Sequence, residues 1–344
     1  MEYRTIGTTG VRVSAYCLGA MMFGDWGNTD EDECIRMIQT ALDAGVNFVD
    51  TADVYGAGRS EEIVGKALRG KRDGVVLATK VHGDMGERPN EGGNSRLWIM
   101  REVESSLRRL QTDHIDLYQI HRPDPGTHIE ETLGALTDLV RQGKVRYVGS
   151  STFAAWQLVE ARWASERRAL ERFVCEQAPY SILARHIEWD VLPVAERLGM
   201  GVIVWSPLAG GWLSGKYRRG EEPPGDSRAV RFRSRPVAAR YDPSRPGNQR
   251  KLDLIENLSA VADGAGLSLT HMAIAFTLEH PGVTSTIIGP RTPEQLEGLL
   301  GGIDVRLDAG TLDAIDQVVP AGSVVEEADR GWQPPWLEPA ARRR

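Results

Sequence analysis

Ile115-Asp-Leu-Tyr-Gln-Ile-His121 and Val145-Arg-Tyr-Val-Gly-Ser-Ser151 frame an amphipathic stretch, Glu130–Gln142, that stops on Gly143. Two apolar runs with a helical pattern between them read as strand, helix, strand, and a connection of that length suits parallel pairing. The glycine is a helix stop signal. Working outward, the unit repeats. Further apolar runs at Tyr16–Ala20, Asn47–Thr51, Gly74–Lys80, Phe173–Gln177, Gly201–Ser206 and Ser285–Gly289 bring the strand count to eight. They are rich in Val, Ile and Leu, as strands covered on both faces should be. Helical patterns at Asp32–Ala44 (ending at Gly45), Ser60–Leu68, Ser95–Leu110, Ala154–Arg168, His186–Leu198 and Pro293–Leu300 fill the other gaps. Alternation repeated eight times predicts an α/β fold, a (β/α)8 TIM barrel, in preference to an open doubly wound sheet.

Three stretches fall outside the repeat. Tyr3–Ser14 reads as a β-hairpin around Thr8-Thr9-Gly10 that could plug one barrel end. Pro207–Asn248, after the seventh strand, is a long loop with clustered Pro, Gly and Arg, and loops of that length are usually functional. Beyond Val318 the chain turns irregular, and Trp332 and Trp336 argue that this tail docks on something. The expectation is one domain over 1–344, with a barrel core at about 15–302.

With 41 Lys and Arg against 48 Asp and Glu, the net charge is -7 and the basic residues are dispersed. That excludes a nucleic-acid footprint; the run Arg342, Arg343, Arg344 reads as a solvated tail. Cys17, Cys34 and Cys175 are odd in number and widely spaced, so neither a disulfide framework nor a metal site is expected. No signal-peptide pattern or membrane-length apolar run occurs, which predicts a cytoplasmic protein without a membrane partner.

In a barrel, chemistry gathers where the strands end. The second strand ends at Asp50 and runs on to Tyr55, the third ends at Lys80 and the fourth at His121. Singly these are bland: an ion pair closing a strand, a structural histidine, a loop aromatic. At the ends of neighbouring strands they face one mouth. His82 and Asp53 beside them are assigned to loops, and Tyr118 and Gln119 to the strand itself.

At this point the sequence resembles the aldo-keto reductase superfamily. The motifs are Asn47-Phe-Val-Asp-Thr-Ala-Asp-Val-Tyr55, Ala78-Thr-Lys80, Asp116-Leu-Tyr-Gln-Ile-His121-Arg-Pro-Asp124, Glu176-Gln177-Ala-Pro-Tyr180, Trp205-Ser-Pro-Leu-Ala-Gly-Gly-Trp-Leu-Ser-Gly-Lys-Tyr217 and Ile288-Gly-Pro-Arg-Thr-Pro-Glu-Gln295. They arrive in family order from about Tyr3 to Trp336. The Trp-Ser-Pro-Leu and Ser-Gly-Lys-Tyr elements are closer to the potassium-channel β-subunit and bacterial general-reductase branch than to the aldose reductases. The resemblance implies an NADP(H)-dependent enzyme that reduces aldehydes or ketones by hydride transfer, or runs the reverse. Tyr55 would be the general acid and base, Lys80 the ammonium that favours its ionised form, Asp50 the partner holding Lys80, and His121 the donor that orients the substrate carbonyl.

The resemblance also implies the cofactor contacts. Ser151, Thr152 and Gln177 would hold the nicotinamide carboxamide and Trp205 would stack on its ring. Ser206, Pro207, Leu208, Gly210, Lys216 and Arg228 would meet the pyrophosphate region. Gly289, Arg291 and Gln295 would lie at the adenosine 2′-phosphate, and Gly19, Ala20, Met21 and Asp50 beside the nicotinamide half. NADP(H) is the preferred cofactor, with NAD(H) second. Gly45, Gly56 and Gly58 make no dinucleotide fingerprint of the open-sheet type. Three positions depart from the family pattern: Ser151-Thr152 replaces Ser-Asn or Ser-Arg, Met21 replaces a frequent tryptophan, and Gly298-Leu299 replaces a Glu-Asn pair.

Two rivals stand beside this reading. One is an NADP(H)-binding regulatory subunit with slow turnover. The other is a cofactor-free barrel hydrolase or isomerase, which would need a carboxylate pair or metal cluster at the strand ends. A small-molecule carbonyl compound is the expected partner. The natural substrate, the direction of reaction and assembly into a homo-oligomer are not legible in the residues.

Overall fold

A computed structural model describes residues 1–341; the run Arg342, Arg343, Arg344 lies outside the described residues. The chain divides into two compact units. The first comprises Met1–Ala178, Asp190–Trp205 and Leu278–Val305. It opens with an antiparallel hairpin, β1 (Tyr3–Thr5) and β2 (Arg12–Ser14), paired Tyr3 to Ser14. Then come β3 (Tyr16–Gly19), α1 (Glu31–Asp43), β4 (Phe48–Asp50), α2 (Arg59–Ala67), β5 (Val76–Val81), α3 (Arg96–Leu110), β6 (Ile115–Ile120), α4 (Ile129–Arg141), β7 (Val145–Ser151), α5 (Ala155–Arg168), β8 (Cys175–Pro179), α6 (Val191–Leu198) and β9 (Gly201–Trp205). The eighth barrel strand is β10 (Ser285–Ile288).

The eight strands close in the order β10-β3-β4-β5-β6-β7-β8-β9, a (β/α)8 barrel as expected. Parallel pairing runs through registers such as Asp50 to Ala78 and Lys80 to Gln119. Local chemistry starts the helices: Asp30 caps α1 by accepting from the Glu33 amide at 2.9 Å, and Ser95 caps α3 from Trp98.

Side chains alternate across each strand, so every second residue points into the barrel. One interior layer is apolar: Cys17, Phe48, Ala78, Leu117, Cys175 and Ile203 pack together, and Ile6 and Val13 of the hairpin join them. The hairpin thus does plug one end. Gly7 is required in its turn. It sits at φ +51°, and a Cβ there would lie 2.3 Å from the Gly199 carbonyl oxygen. Two residues further along the same strands, the next layer is polar: Asp50, Lys80, Gln119 and Gln177.

The second unit comprises Pro179–Trp189, Ser206–Thr277 and the segment from Arg306. Here the loop expectation is corrected. Pro207–Asn248 holds 3-10 turns at Ala209–Ser214 and Pro236–Arg240 and a short helix, α7 (Arg228–Arg231). A long helix, α8 (Pro246–Gly264), begins before the proposed loop ends, with proline in its first turn. Next, α9 (Leu269–Glu279) leads toward β10, and α10 (Pro293–Leu300) follows β10. The second unit then adds α11 (Ala309–Val318). The sequence reading had assigned no helix to α8, α9 or α11. It had also drawn one helix over His186–Leu198, where a 3-10 turn at His186–Glu188 precedes α6.

The tail docks, with acidic residues among its anchors. Asp329 accepts from Arg240 at 2.7 Å and pairs with the buried Lys251 at 2.6 Å. Glu326 pairs with Arg245, and the Val325 amide donates to the Leu183 carbonyl at 3.0 Å. Trp332 and Trp336 pack edge-to-face on each other, with Trp336 45% exposed.

Candidate active site

The polar interior layer of the barrel is one hydrogen-bonded cluster. Lys80 is fully buried at the end of β5, and its Nζ donates to Asp50 Oδ1 at 2.5 Å, to the Thr51 carbonyl at 2.7 Å and to the Tyr55 hydroxyl at 3.3 Å. Burial works against its charge, but Asp50 and Tyr55 outweigh it, so its pKa stands above the ordinary lysine value. The second Asp50 oxygen, Oδ2, accepts from Gln119 at 3.1 Å and from Gln177 at 2.8 Å. Gln177 also reaches Gln119 Oε1 at 3.2 Å.

Tyr55 follows β4 on a tight turn. The turn is tied by Asp53, whose Oδ1 accepts from the Val54 amide at 2.6 Å. Asp53 lies in this loop, as expected, and is fully buried; burial with Glu61 nearby pushes its carboxyl well above the usual range. The half-buried Tyr55 ring packs between Trp26 (centroids 5.8 Å apart) and His121 (5.6 Å, edge-on). Trp26 therefore supplies an aromatic wall beside Tyr55. Burial, and then Arg122 and Lys80, push the His121 imidazole well below its usual pKa, so it is neutral near pH 7.

The structure thus brings Asp50, Tyr55, Lys80 and His121 together. Gln119 was read only as part of its strand, yet it completes the Asp50 shell. A signal for it is in the sequence: Gln119 comes two residues before His121, the spacing that puts side chains on one side of an extended chain. Arg122 follows His121 in the fourth-strand motif. Its Nη1 donates to the His121 carbonyl at 2.6 Å and the Thr152 hydroxyl at 3.1 Å, with Ser151 Oγ at 3.4 Å. Its guanidinium lies 5.7 Å from the Trp205 ring.

The remaining predicted contacts fall as follows. Gly19 ends β3, and Ala20 donates to the Asp50 carbonyl at 2.8 Å; Met21 follows, half-buried. Ser151 ends β7, and Thr152, at φ +61°, donates its amide to the Gln177 carbonyl at 2.9 Å. Trp205 ends β9. Gly289 follows β10, and the Arg291 amide donates to Gln295 Oε1 at 2.9 Å in the first turn of α10. All of these belong to the first unit. Ser206, Pro207, Leu208, Gly210, Lys216 and Arg228 belong to the second, where Ser206 Oγ accepts from Arg240 at 3.0 Å and Gly210 O from Tyr241 at 3.1 Å.

As a donor set for a dinucleotide these residues fit. Their polar side chains are hydroxyls, amides, cations and an indole, the rest are small or apolar residues, and the one carboxylate among them, Asp50, is already satisfied by Lys80 and two glutamines. Among the described residues no cluster of metal ligands occurs, and no single helix is long and apolar enough to cross a membrane.

A closed parallel barrel whose strand ends assemble an Asp–Lys–Tyr–His cluster defines a class of oxidoreductase, and the chain belongs to it: residues 15–320 match the aldo/keto reductase family. Its relatives include an uncharacterized oxidoreductase, YrpG, of Bacillus subtilis, 42% identical over 93% of this chain and 96% of the relative. A probable voltage-gated potassium channel subunit beta of Arabidopsis thaliana is 36% identical over 93% and 97%. The aldo-keto reductase YhdN of Bacillus subtilis is 38% identical over 92% of both chains. These are the branches that the motifs indicated.

Proposed function

We propose that this chain is an NADP(H)-dependent reductase of aldehydes or ketones, with Tyr55 as the proton donor. The observation that supports it most is the buried Lys80 ammonium shared between Asp50 and the Tyr55 hydroxyl. When bound, the cofactor supplies the hydride that reaches the carbonyl carbon.

The chain's own residues do the rest. Tyr55 holds a proton at its hydroxyl, within reach of a carbonyl oxygen in the mouth. Lys80, 3.3 Å away, stabilises the phenolate left after transfer by a charge-assisted hydrogen bond. Asp50, fixed by two glutamine amides, keeps Lys80 in place. The neutral His121 imidazole donates a hydrogen bond and orients the carbonyl. Ser151, Thr152 and Gln177 would hold the carboxamide and Trp205 would stack on the nicotinamide. Ser206, Pro207, Leu208, Gly210, Lys216 and Arg228 would hold the pyrophosphate, and Gly289, Arg291 and Gln295 the 2′-phosphate. One domain over 1–344 and a cytoplasmic setting belong to the same reading; the family match over most of the chain and three free, buried cysteines support them.

The test is Tyr55→Phe, assayed by NADPH oxidation against aldehydes and ketones. NADPH binding should be retained and kcat should fall at least ~100-fold, the low end for general acid catalysis. Near-normal turnover by the variant would remove Tyr55 from its role. Wild-type binding of NADPH without turnover on any carbonyl would favour a regulatory subunit.

A further inference from the structure

We infer that Arg122 is a substrate-binding residue for carbonyl compounds that carry a carboxylate a few bonds from the reacting carbon. The inference rests on the reductase reading and names its substrate class.

Three observations converge on it. First, the guanidinium is only partly used. Its Nη1 is held by the His121 carbonyl and the Thr152 and Ser151 hydroxyls, while Nε and Nη2 make no hydrogen bond among the described residues. That leaves the Nε–H and both Nη2–H donors free, and Nε with one of the Nη2 hydrogens makes the paired contact of a guanidinium with a carboxylate.

Second, its charge is unbalanced. Asp50 is paired to Lys80. Glu176, the other carboxyl nearby, accepts from Ser150 Oγ at 2.5 Å and the Phe153 amide at 3.1 Å, and forms no ion pair with Arg122. Burial raises its pKa to about 8, so at neutral pH it is protonated. Arg122, half-buried beside a neutral His121, thus forms no ion pair among the described residues, and Glu176 and Tyr55 act on its charge only from beyond contact distance. Such a site favours an anion that supplies the missing partner.

Third, it sits beside the chemistry. It adjoins His121 in sequence, faces Trp205, and is electrostatically coupled to Tyr55. A ligand held by its free edge would keep a nearby carbonyl at Tyr55 and His121.

The test compares succinic semialdehyde with its methyl ester, which keeps the reacting aldehyde and removes the charge. Wild type, R122Q and R122K are assayed with saturating NADPH, and NADPH Kd is measured for each. In the wild type kcat/KM should favour the acid over its ester by about tenfold or more, the range expected of a charge-assisted contact. R122Q should bring that ratio near one, losing more on the acid than on the ester, and R122K should keep part of it; the ester kcat/KM and the NADPH Kd of each variant report any loss that passes through His121, Ser151 or Thr152. A wild-type ratio near one, equal losses on acid and ester in both variants, or a loss confined to NADPH affinity overturns the assignment and leaves the reductase reading standing. No turnover of any aldehyde by the wild type overturns both.

Discussion

Gln119 Nε2 donates to Asp50 Oδ2 at 3.1 Å across 69 residues of sequence, on the opposite oxygen from the one that holds Lys80. The carboxylate is therefore gripped from both sides, and with the Thr51 carbonyl it aims Lys80 at Tyr55.

Gln119→Leu should act through this grip. The apolar replacement leaves Gln177 as the only amide on Oδ2, so Asp50 gains freedom and Lys80 spends less time at the Tyr55 hydroxyl. A misplacement of this kind costs transition-state rather than ground-state stabilisation. We expect kcat about tenfold lower with KM within about twofold. A rise in KM at unchanged kcat would show that Gln119 contacts substrate instead of positioning Asp50.

Glu176 makes stability depend on pH. Its folded pKa is about 8 against an ordinary 4.5, because burial disfavours the charged form. Between those values the folded chain holds a proton that the unfolded chain has released, so raising the pH favours unfolding. This contribution is intact below about 4.5, falls through the window and levels off above about 8. The slope can reach about 1.4 kcal/mol per pH unit. Glu176→Gln removes the titration, so its stability relative to wild type should rise between pH 5.5 and 8.5 in denaturant unfolding. Asp53 and Glu61 also titrate upward but are common to both proteins and cancel in the difference. A difference that does not change with pH would refute this.

Arg291 should set cofactor preference. It lies just past β10 with its amide held by Gln295, in the region of a barrel where phosphates commonly bind. The 2′-phosphate is the only difference between NADPH and NADH, and a charge-assisted hydrogen bond to it is worth roughly 1.5–3 kcal/mol. Arg291→Ala should therefore weaken NADPH by about ten- to a hundredfold and barely change NADH. Equal losses on both, measured by fluorescence titration, would show that Arg291 does not read the phosphate.

Much of the barrel was legible because its signals are local. Apolar runs such as Gly74–Lys80 alternate with amphipathic ones, and stop glycines such as Gly143 mark where helices end. The helices that escaped have physical reasons. Thr270-His-Met-Ala-Ile-Ala-Phe-Thr277 in α9 is apolar on nearly every side and so shows no stripe. In α8, Leu254, Leu258 and Ala262 do repeat at helical spacing, but the helix starts inside a Pro-, Gly- and Arg-rich stretch that reads as loop.

The sequence by itself determined which residues end the strands: Asp50, Lys80 and His121 each terminate an apolar run, and period-two alternation then puts them on one face. Only the tertiary structure decided what they touch. That Gln119 and Gln177 share one oxygen of Asp50, that Trp26 packs against Tyr55, and that Arg122 forms no ion pair among the described residues all depend on strand register and on which chain segments meet. Spacing along a chain sets the face a side chain points to. Which partner waits there, and whether burial leaves a charge paired or alone, is fixed only when the strands close into a ring.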